Sequence, residues 1–306
     1  MVNIAPDPAA QASTPVRQRR ILVIFNPAAG RARRAKLDAV VNAMTAVGCA
    51  VRVVETQAPG HGEQIAREVS LDDYDVIAAA GGDGTVNEVI NGLKGRKIAL
   101  GVIPLGTANV LADEIGLGRG PEAIAGTLAS GPVRPIRLGL ANGRRFMMMA
   151  GAGFDANVVA TVSLALKKRL GPLAYVWQAG VVGFTGKLGL STVTIDGVVH
   201  QSASAVACNG RRYGGPFVAA PHASLSDNSF QVVLMRGRNW FSFFRYGLGL
   251  MLGCVGKWWD VDIITGRDVV IEGIAGQPVQ ADGDIITALP VRITVDPDAV
   301  MMVYPI

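Results

Sequence analysis

The chain has 306 residues, half of them hydrophobic and 17% charged, which excludes a chain that is disordered throughout and leaves room for one large or two ordinary domains. The net charge of +5 comes from the N-terminus, because residues 1–36 hold seven Lys/Arg and one Asp while the other residues carry a net charge of −1. The body is therefore close to neutral, and nucleic-acid binding is disfavoured.

The N-terminal residues, the cysteines and one apolar segment bear on the compartment and on contact with membranes. Residues 1–19 lack the apolar segment of a secretory signal and are rich in Ala, Pro and Gln, so we expect a disordered tail. Three scattered cysteines without Cys-x-x-Cys spacing predict neither a zinc site nor a disulfide framework and indicate a reducing compartment. Residues 240–259 have about the length of a spanning helix, but they contain two cations and four glycines. We expect a buried or interfacial amphipathic helix there.

From Arg20 to about Ser130 the chain alternates between strand and helix patterns. The predicted strands are Ile21–Phe25, Val51–Val54, Asp75–Ala80 and Ile98–Ile103. The predicted helices are Ala32–Val47, Gly62–Val69, Val86–Leu93 and Thr107–Ile115. Such alternation predicts a parallel sheet with helical crossovers, whose ligands bind beyond the carboxyl ends of the strands.

After about Gly131 the pattern changes to short β-type runs separated by Gly, Asp and Pro turns. The predicted strands are Ile136–Leu140, Arg145–Met149, Thr192–Ile195, Ser204–Cys208, Phe230–Met235, Val269–Ile274 and Val291–Val295. Helical segments are expected at Asn157–Lys168 and around Trp177 and Leu250. We therefore predict an α/β nucleotide-binding domain over 20–132 and a β-rich, mostly antiparallel domain over 133–306, with the extreme C-terminus free to return to the first domain.

The sharpest local signal is the segment Ala80–Glu88, AGGDGTVNE, between an apolar strand and a helix. Its glycines let the backbone approach a bulky anion, and the helix N-terminus offers N–H groups to phosphate. Asp83 is a poor phosphate ligand because like charges repel, so we expect it to hold a metal indirectly or to organise hydrogen bonds. The alternative is a tight turn with an N-capping Asp.

Two further loops have the same context of strand, turn and helix start. They are NPAAG at 26–30 and LGTAN at 105–109. Three strand-end loops on one edge of a parallel sheet favour a nucleotide phosphate site over three unrelated turns. Neither the GxxxxGK[ST] nor the GxGxxG pattern is present, so the chain is not an ordinary P-loop or dinucleotide-binding enzyme by motif.

These three blocks, in this order, resemble the catalytic domain of the diacylglycerol kinase and sphingosine kinase family, and in size the chain is similar to its bacterial soluble lipid kinases. The second half carries three more matching blocks. They are GAGFDA at 151–156, APHASLSDN at 220–228 and VQADGD at 279–284. The resemblance implies an N-terminal parallel-sheet domain like that of phosphofructokinases and NAD kinases, followed by an antiparallel β-sandwich-like domain.

The resemblance implies ATP-dependent transfer of the γ-phosphoryl group to a lipid hydroxyl. The alcohol must lose a proton as it attacks, so a positioned carboxylate is required as general base. By the match, Asp282 is the predicted base; Asp284 stands at the family's Glu position and is the alternative, with Asp83 as the third candidate. From the residues alone, Asp282-Gly283 equally fits a type I′ hairpin turn.

The resemblance also implies the ligand residues. For ATP it indicates two loops and a threonine, together with the Gly-rich segment: Asn26, Pro27, Ala28, Ala29, Gly30, Thr56, Gly82, Asp83, Gly84, Thr85, Val86, Asn87, Glu88, Gly106 and Thr107. One Mg²⁺ is expected to bridge the phosphates. A second, structural Mg²⁺ is expected at Ser224, Asp227 and Ser229, with Asp155 and Asp83 acting through water.

Two positions depart from the family pattern. Asn228 replaces the usual Gly, and Asn tolerates the left-handed backbone conformation. Val110 stands where many members have an acid, which puts a water-linked acid network and the metal dependence in question. The departure keeps open a catalytically impaired nucleotide- or lipid-binding regulator.

A lipid acceptor needs an apolar channel and a membrane partner. The candidate channel segments are Val158–Leu166, Leu173–Phe184 and Phe241–Leu252, for which core packing is the alternative. The basic clusters 167–169 and 211–212 are candidates for contact with anionic headgroups or with water. We predict a cytoplasmic enzyme, peripheral at the membrane, with homodimerisation possible; an NAD kinase-like enzyme is the rival.

Overall fold

A computed structural model describes residues 18–29, 31–153, 156–157, 189–215 and 217–306. Its first sheet has six strands in the order β2-β1-β3-β4-β20-β5, parallel except for β5. The strands are β1 Arg20–Phe25, β2 Ala50–Glu55, β3 Val76–Gly81, β4 Ala99–Pro104, β5 Val133–Ile136 and β20 Val300–Val303. The helices around it are α1 Arg31–Ala46, α2 His61–Glu68, α3 Asp83–Gly92, α4 Val110–Glu114 and α5 Pro121–Ser130.

The central strands β3 and β4 are buried along their whole length, as is β1 apart from Arg20, which is why they read as continuous apolar runs in the sequence. One core joins them to Leu37 and Met44 of α1, Ile90 of α3 and Leu128 of α5. Helices therefore cover the sheet and leave its carboxyl edge, where β1, β3 and β4 end, to the loops.

The second half forms two antiparallel six-stranded sheets. The second sheet runs β10-β9-β16-β19-β6-β7 and the third β15-β14-β11-β8-β17-β18. Their strands are β6 Gly139–Ala141, β7 Arg144–Phe146, β8 Met149–Gly153, β9 Ser191–Ile195, β10 Val198–Ser202, β11 Ser204–Cys208, β14 Phe230–Met235, β15 Val261–Gly266, β16 Asp268–Glu272, β17 Pro278–Ala281, β18 Asp284–Ala288 and β19 Val291–Val295. A small hairpin pairs β12 Arg212–Gly214 with β13 Phe217–Val218.

A second core lies between these two sheets and contains Phe146, Val193, Phe230 and Ile293. A third core lies on the other face of the third sheet, where helix α6, Trp240–Met251, packs through Phe243 and Tyr246. The predicted fold class, a parallel α/β sheet with an antiparallel β-sandwich-like unit, is confirmed. Of the predicted helical segments, α6 is the one around Leu250, and those beyond Asn157 and around Trp177 lie outside the described residues.

The structure divides the chain differently near the predicted boundary at 132. Strand β5 extends the first sheet to Ile136, whereas the position of β20 between β4 and β5 is the return that the prediction allowed for the extreme C-terminus. The run predicted as one strand over 136–140 belongs to two sheets, and so does the run over 145–149, because β7 and β8 lie on opposite sides of the sandwich. Alternation of apolar residues indicates strands but not the sheet that each one joins.

A buried ion pair lies where the two halves meet. Arg145 Nε donates to Asp296 Oδ2 at 2.5 Å, and the two side chains are 1% and 2% exposed. Arg145 Nη1 also donates to the Ile90 carbonyl of α3 at 3.3 Å. The guanidinium of β7 is therefore bound both to the sandwich and to the helix that follows the Gly-rich loop.

Loss of this pair should destabilise the whole chain. We expect Arg145→Met to lower the free energy of unfolding by roughly 3–5 kcal/mol, because Asp296 would keep a buried charge without its cation. The matched control is Arg292→Met, which removes the exposed Arg292–Asp268 pair and should barely move the denaturation midpoint. Chemical denaturation measures the free energy of unfolding of both variants. An equal decrease in the two would show that the buried pair stabilises the chain no more than the exposed one.

Candidate active site

Three loops meet at the carboxyl edge of the first sheet. The loop after β1 is tied to the loop after β3, because Asn26 Nδ2 donates to Thr85 Oγ1 at 3.2 Å and the Asn26 N–H donates to the Ala80 carbonyl at 3.0 Å. Asn26 Oδ1 also accepts the Ala28 N–H at 3.0 Å. The loop after β4 joins them through the Leu105 N–H, which donates to the Gly81 carbonyl at 2.9 Å. The predicted convergence of these loops is present.

The Gly-rich loop and the LGTAN loop touch through their backbones at Gly82 and Gly106. A Cβ atom built on Gly106 would lie 2.5 Å from the Gly82 Cα and 2.8 Å from Asn109 Oδ1. Asn109 itself adopts a left-handed conformation, with φ of 49°, and its amide exchanges two 2.8 Å hydrogen bonds with Gly106. Thr107 to Asn109 are therefore loop, and α4 begins at Val110, later than the predicted helix start.

Asp83 connects the same two loops electrostatically. The backbone N–H groups of Leu111, Val110 and Asn109, at the start of α4, favour the charged form of its carboxylate and so act to lower its pKa. Burial raises the pKa of Asp83, against the lowering effect of these hydrogen bonds. Val110, the first residue of α4, is buried.

Asp282 sits at the tip of the β17–β18 hairpin and is bound from both halves of the chain. Its carboxylate accepts the N–H groups of Met147, Met148 and Met149 at 2.7, 2.8 and 3.2 Å and the Asn87 amide at 3.0 Å. Burial raises the pKa of Asp282 to about 6, although these four donors favour its charged form. The left-handed φ values of Asp282 and Gly283, 50° and 86°, also match the hairpin alternative.

Asp284 differs from Asp282 in having an exposed side chain that faces the Gly-rich loop. A methyl group built on Gly84 would lie 3.8 Å from Asp284 Oδ2. Gly84 is itself exposed, at the first turn of α3. Of the two acids of the hairpin, Asp284 is therefore the one whose carboxylate lies exposed beside the Gly-rich loop.

Several residues predicted to contact nucleotide also have partners within the protein. Glu88 accepts the N–H groups of Gly60 and Gly62 at 2.9 and 3.0 Å and so binds the N-terminus of α2. Thr85 and Val86 are buried, and Thr56 is buried near Gly62. Pro27, Ala28, Gly82, Gly84, Gly106 and Thr107 form the rim itself, Ala29 follows them in the first loop, and Gly30 lies outside the described residues.

The segment 224–229 offers oxygen donors for a metal ion. Asp227 is exposed, its N–H donates to the Ser224 carbonyl at 3.0 Å, and the Ser224 and Ser226 hydroxyls lie 2.8 Å apart. Arg267 Nε donates to the Asn228 carbonyl at 2.8 Å. One carboxylate with serine and carbonyl oxygens suits a hard cation that retains several waters, such as Mg²⁺.

The carboxylate count limits what this loop can hold. Within the described ranges there is no group of three or more His, Cys, Asp or Glu side chains that could hold a metal ion. Asp83 is engaged at α4, as described above, and Asp155 lies outside the described residues. Ser229 lies beside Asp227 in the same surface hollow, whose lining also includes Arg267.

Sequence reasoning missed the polar chain that carries Asp282. Asn91 exchanges hydrogen bonds with the backbone of Arg145, accepting at 3.0 Å and donating at 3.2 Å, and its amide also donates to Asn87 Oδ1 at 3.0 Å. Asn87 in turn donates to Asp282. Two asparagines four residues apart lie on one helical face, and Arg145, the second of two arginines before the apolar run 146–149, is a signal for a buried pair.

The basic clusters and the tail have specific surroundings. Arg211 pairs with Glu114 of α4 at 3.1 Å and Arg212 lies 3.8 Å from the same carboxylate, so both are bound within the protein to a degree that the sequence did not indicate. Arg19, placed in the tail by the sequence, donates to the carbonyls of Leu128 and Gly131 at 2.9 and 2.7 Å. Residues 1–17 and the cluster 167–169 lie outside the described residues.

Of the three candidate lipid-channel segments, the structure describes one. Val158–Leu166 and Leu173–Phe184 lie outside the described residues. In the third, Phe241–Leu252, Phe243 is buried in the core while Phe241, Phe244 and Leu248 are exposed, so one side of this segment faces outward and lines no core. Among the described helices, none is long and apolar enough to cross a bilayer.

Each half of the chain matches a known protein family. Residues 20–141 match the diacylglycerol kinase catalytic domain, and residues 148–304 match the YegS C-terminal NAD kinase beta sandwich-like domain. A Bacillus subtilis protein named diacylglycerol kinase is 33% identical, covering 74% of this chain and 77% of its own length. A Pseudomonas aeruginosa protein named "Probable lipid kinase YegS-like" is 31% identical, covering 93% of this chain and 94% of its own length.

Solved structures share the fold. A crystal structure of a diacylglycerol kinase from Bacillus anthracis has a TM-score of 0.72 and 21% identity, covering 94% of this chain and 97% of that one. A second crystal structure from the same organism has a TM-score of 0.81 and 22% identity, covering 96% of this chain and 98% of that one. Both agree with a parallel-sheet unit followed by a sandwich.

The contact between the two glycine loops can be tested by adding one methyl group. We expect Gly106→Ala to destabilise the protein by roughly 1–3 kcal/mol, because the new Cβ overlaps the Gly82 backbone. The control is Gly126→Ala in α5, where a Cβ would meet nothing within 4 Å and the change should be neutral or stabilising. Urea denaturation compares the two variants, and a Gly106→Ala protein as stable as the wild type would show that the loops separate without cost.

Proposed function

Since the chain belongs to the diacylglycerol kinase catalytic-domain family, in the form that carries a YegS-type C-terminal domain, we propose that it transfers the γ-phosphoryl group of ATP to the hydroxyl of a lipid. The observation that carries the proposal is the position of the β17–β18 hairpin. This hairpin of the second half holds Asp284 in front of Gly84, at the edge of the sheet where the phosphate loops converge.

The phosphates of ATP bind at the rim formed by 26–29, 82–84 and 106–107. Helices α1, α3 and α4 begin beside these loops, and the positive ends of helix dipoles favour phosphate. Gly82 and Gly106 let the Gly-rich loop and the LGTAN loop pack backbone to backbone, which brings both loops to one rim. The exposed Thr107 hydroxyl adds a donor on the LGTAN loop.

Asp284 accepts the proton of the attacking lipid hydroxyl. A base must be free to accept, and the carboxylate of Asp282 is already occupied by four N–H donors. Asp282 therefore acts as a positioning residue: it fixes the hairpin to α3 and to the 147–149 strip and so sets where Asp284 points. Asp83 has the corresponding positioning role between the Gly-rich loop and α4.

Bound Mg²⁺ would neutralise charge on the phosphates as it builds up. The oxygens of Ser224, Asp227 and Ser229 would hold a separate ion in the sandwich. The protein itself aligns the phosphates with the loops, holds the base on a hairpin and orders α4 through Asp83. We place the enzyme in the cytoplasm, acting at the membrane surface.

An acceptor panel tests the proposal. The protein is incubated with γ-labelled ATP and Mg²⁺ and with mixed micelles containing diacylglycerol, a sphingoid base or ceramide, and in parallel with NAD. We expect label in one of the lipids and none in NAD. Label in NAD alone would replace the proposal by an NAD kinase-like activity, and ATP binding without any labelled product would favour a regulator.

The base is tested at Asp284. We expect Asp284→Asn to lower kcat on the labelled lipid by about 10²–10⁴-fold with ATP affinity nearly unchanged, because a proton acceptor is lost while the phosphate loops stay intact. Asp284→Glu, which keeps a carboxylate, should retain most of the turnover. Full turnover in Asp284→Asn, with turnover abolished in a stably folded Asp282→Asn, would return the base role to Asp282.

A further inference from the structure

Helix α6 has two apolar faces, and only one of them is covered. Phe243 and Tyr246 pack into the third core and are 4% and 2% exposed. On the other side, Phe241, Phe244, Leu248 and Met251 are 41–65% exposed. These four residues follow helical spacing, so they form one stripe along the outer side of the helix. A surface helix of a soluble domain ordinarily carries polar residues there.

Two exposed tryptophans add to this apolar surface. Trp240 begins the helix and is 55% exposed, and Trp259, which follows it in the chain, is 80% exposed. We call the set Trp240, Phe241, Phe244, Leu248, Met251 and Trp259 the α6 face. Contiguous exposed apolar residues of this size mark an interaction surface, and Trp is enriched at membrane–water interfaces.

The α6 face is held rigidly. Asp260 accepts from the Tyr246 hydroxyl and from Arg245 Nη2, both at 2.5 Å, and Arg245 stacks over Trp258 and Trp259 at 4.9 and 5.2 Å from the ring centroids. The helix N-terminus is capped by Asn239, whose side chain accepts the Ser242 N–H at 2.9 Å. The exposed stripe is therefore a fixed feature of the fold and not a consequence of a loosely attached helix.

Charge around the α6 face selects the partner. Residues 236–259 contain four cations and no carboxylate. The cations are Arg236, Arg238, Arg245 and Lys257. Of these, Arg245 is paired with the buried Asp260 and Arg236 with Asp262 at 3.0 Å, so residues 236–262 carry a net charge of +2. Apolar side chains with a cationic border fit the anionic surface of a bilayer, whereas an isologous dimer through this face would bring like charges together.

The α6 face is also connected to the candidate active site. Strand β13 packs against α6, and its partner β12 contacts α4, the helix that begins at the LGTAN loop. One short hairpin therefore separates the exposed stripe from the rim of the phosphate loops. At 12 residues, α6 is about 18 Å long and cannot cross a hydrocarbon core of about 30 Å, so it suits an interfacial position.

We propose that the α6 face docks this protein on anionic lipid bilayers, with the helix lying in the interface, the aromatic side chains among the acyl chains and the cations beside the phosphates. This inference rests on the proposed function, because the bilayer on which the protein docks would supply the lipid acceptor. The binding event itself requires neither ATP nor turnover, which keeps the two separately testable.

Flotation of the full chain with vesicles tests docking in the absence of ATP. With vesicles of phosphatidylcholine containing about one third phosphatidylglycerol, we expect wild type to float and Phe241→Ser/Phe244→Ser to bind roughly tenfold or more weakly. Val198→Ser/Val199→Ser is the matched control, because both valines are exposed on β10, outside the α6 face. It should float like wild type, and unfolding midpoints verify that all three proteins are folded.

Several outcomes would overturn the inference. Equal flotation of the Phe241/Phe244 variant and wild type would do so, and so would an equal loss in the valine control. Wild type that ignores vesicles but sediments as a dimer, and becomes a monomer in the Phe241/Phe244 variant, would assign the face to a second copy. If that variant does not fold, quenching of tryptophan fluorescence by brominated acyl chains decides, and quenching that is unchanged in Trp259→Phe counts against docking.

Activity on a short-chain, water-soluble diacylglycerol separates this inference from the proposed function. The Phe241/Phe244 variant should keep wild-type turnover on that acceptor while losing activity on vesicles. Flotation without phosphorylation of any lipid would leave docking in place and remove the kinase proposal. Phosphorylation of the soluble acceptor without wild-type flotation would do the reverse.

Discussion

The carboxylate of Asp282 accepts hydrogen bonds from both halves of the chain, and the geometry of the candidate site depends on it. Three donors are successive backbone N–H groups at 147–149 and the fourth is Asn87 on the helix after the Gly-rich loop. Without this carboxylate, the three N–H groups at 147–149 would lose their acceptor where the two halves of the chain meet. The same contact aims the β17–β18 hairpin, and with it Asp284, at the phosphate loops.

Behind Asp282 lies a chain of buried polar groups that gives the joint its register. Asn91 links Asn87 to the backbone of Arg145, and Arg145 is paired with Asp296. Burying a charge is costly unless it is paired and hydrogen-bonded, so each member depends on the next. Met147 and Met148 belong to the core of the first sheet although they precede β8 of the sandwich, which adds apolar packing to the same joint.

Buried polar contacts also fix helix α6, whose outer side is exposed and apolar. Its inner side is fixed by Tyr246, Arg245 and Asp260, and this polar anchor leaves the outer side free to remain apolar. An enzyme that takes its acceptor from a bilayer needs both a rigid approach and a water-accessible nucleotide site. The hairpin of β12 and β13 lies between these two surfaces, and Arg211 and Arg212 tie it to Glu114.

The sequence by itself determined the first sheet, the family and the loops at the carboxyl edge, because apolar strands buried on both faces and glycine-rich turns leave local patterns. It also identified the hairpin that carries Asp282 and Asp284. Tertiary structure decided which of these two acids is occupied and which is free, since hydrogen-bond partners 130 and more residues away along the chain leave no mark on local spacing. It likewise decided that β5 and β20 join the first sheet, and that half of α6 stays uncovered, because a helix with apolar residues on two sides reads as core until its neighbours are known.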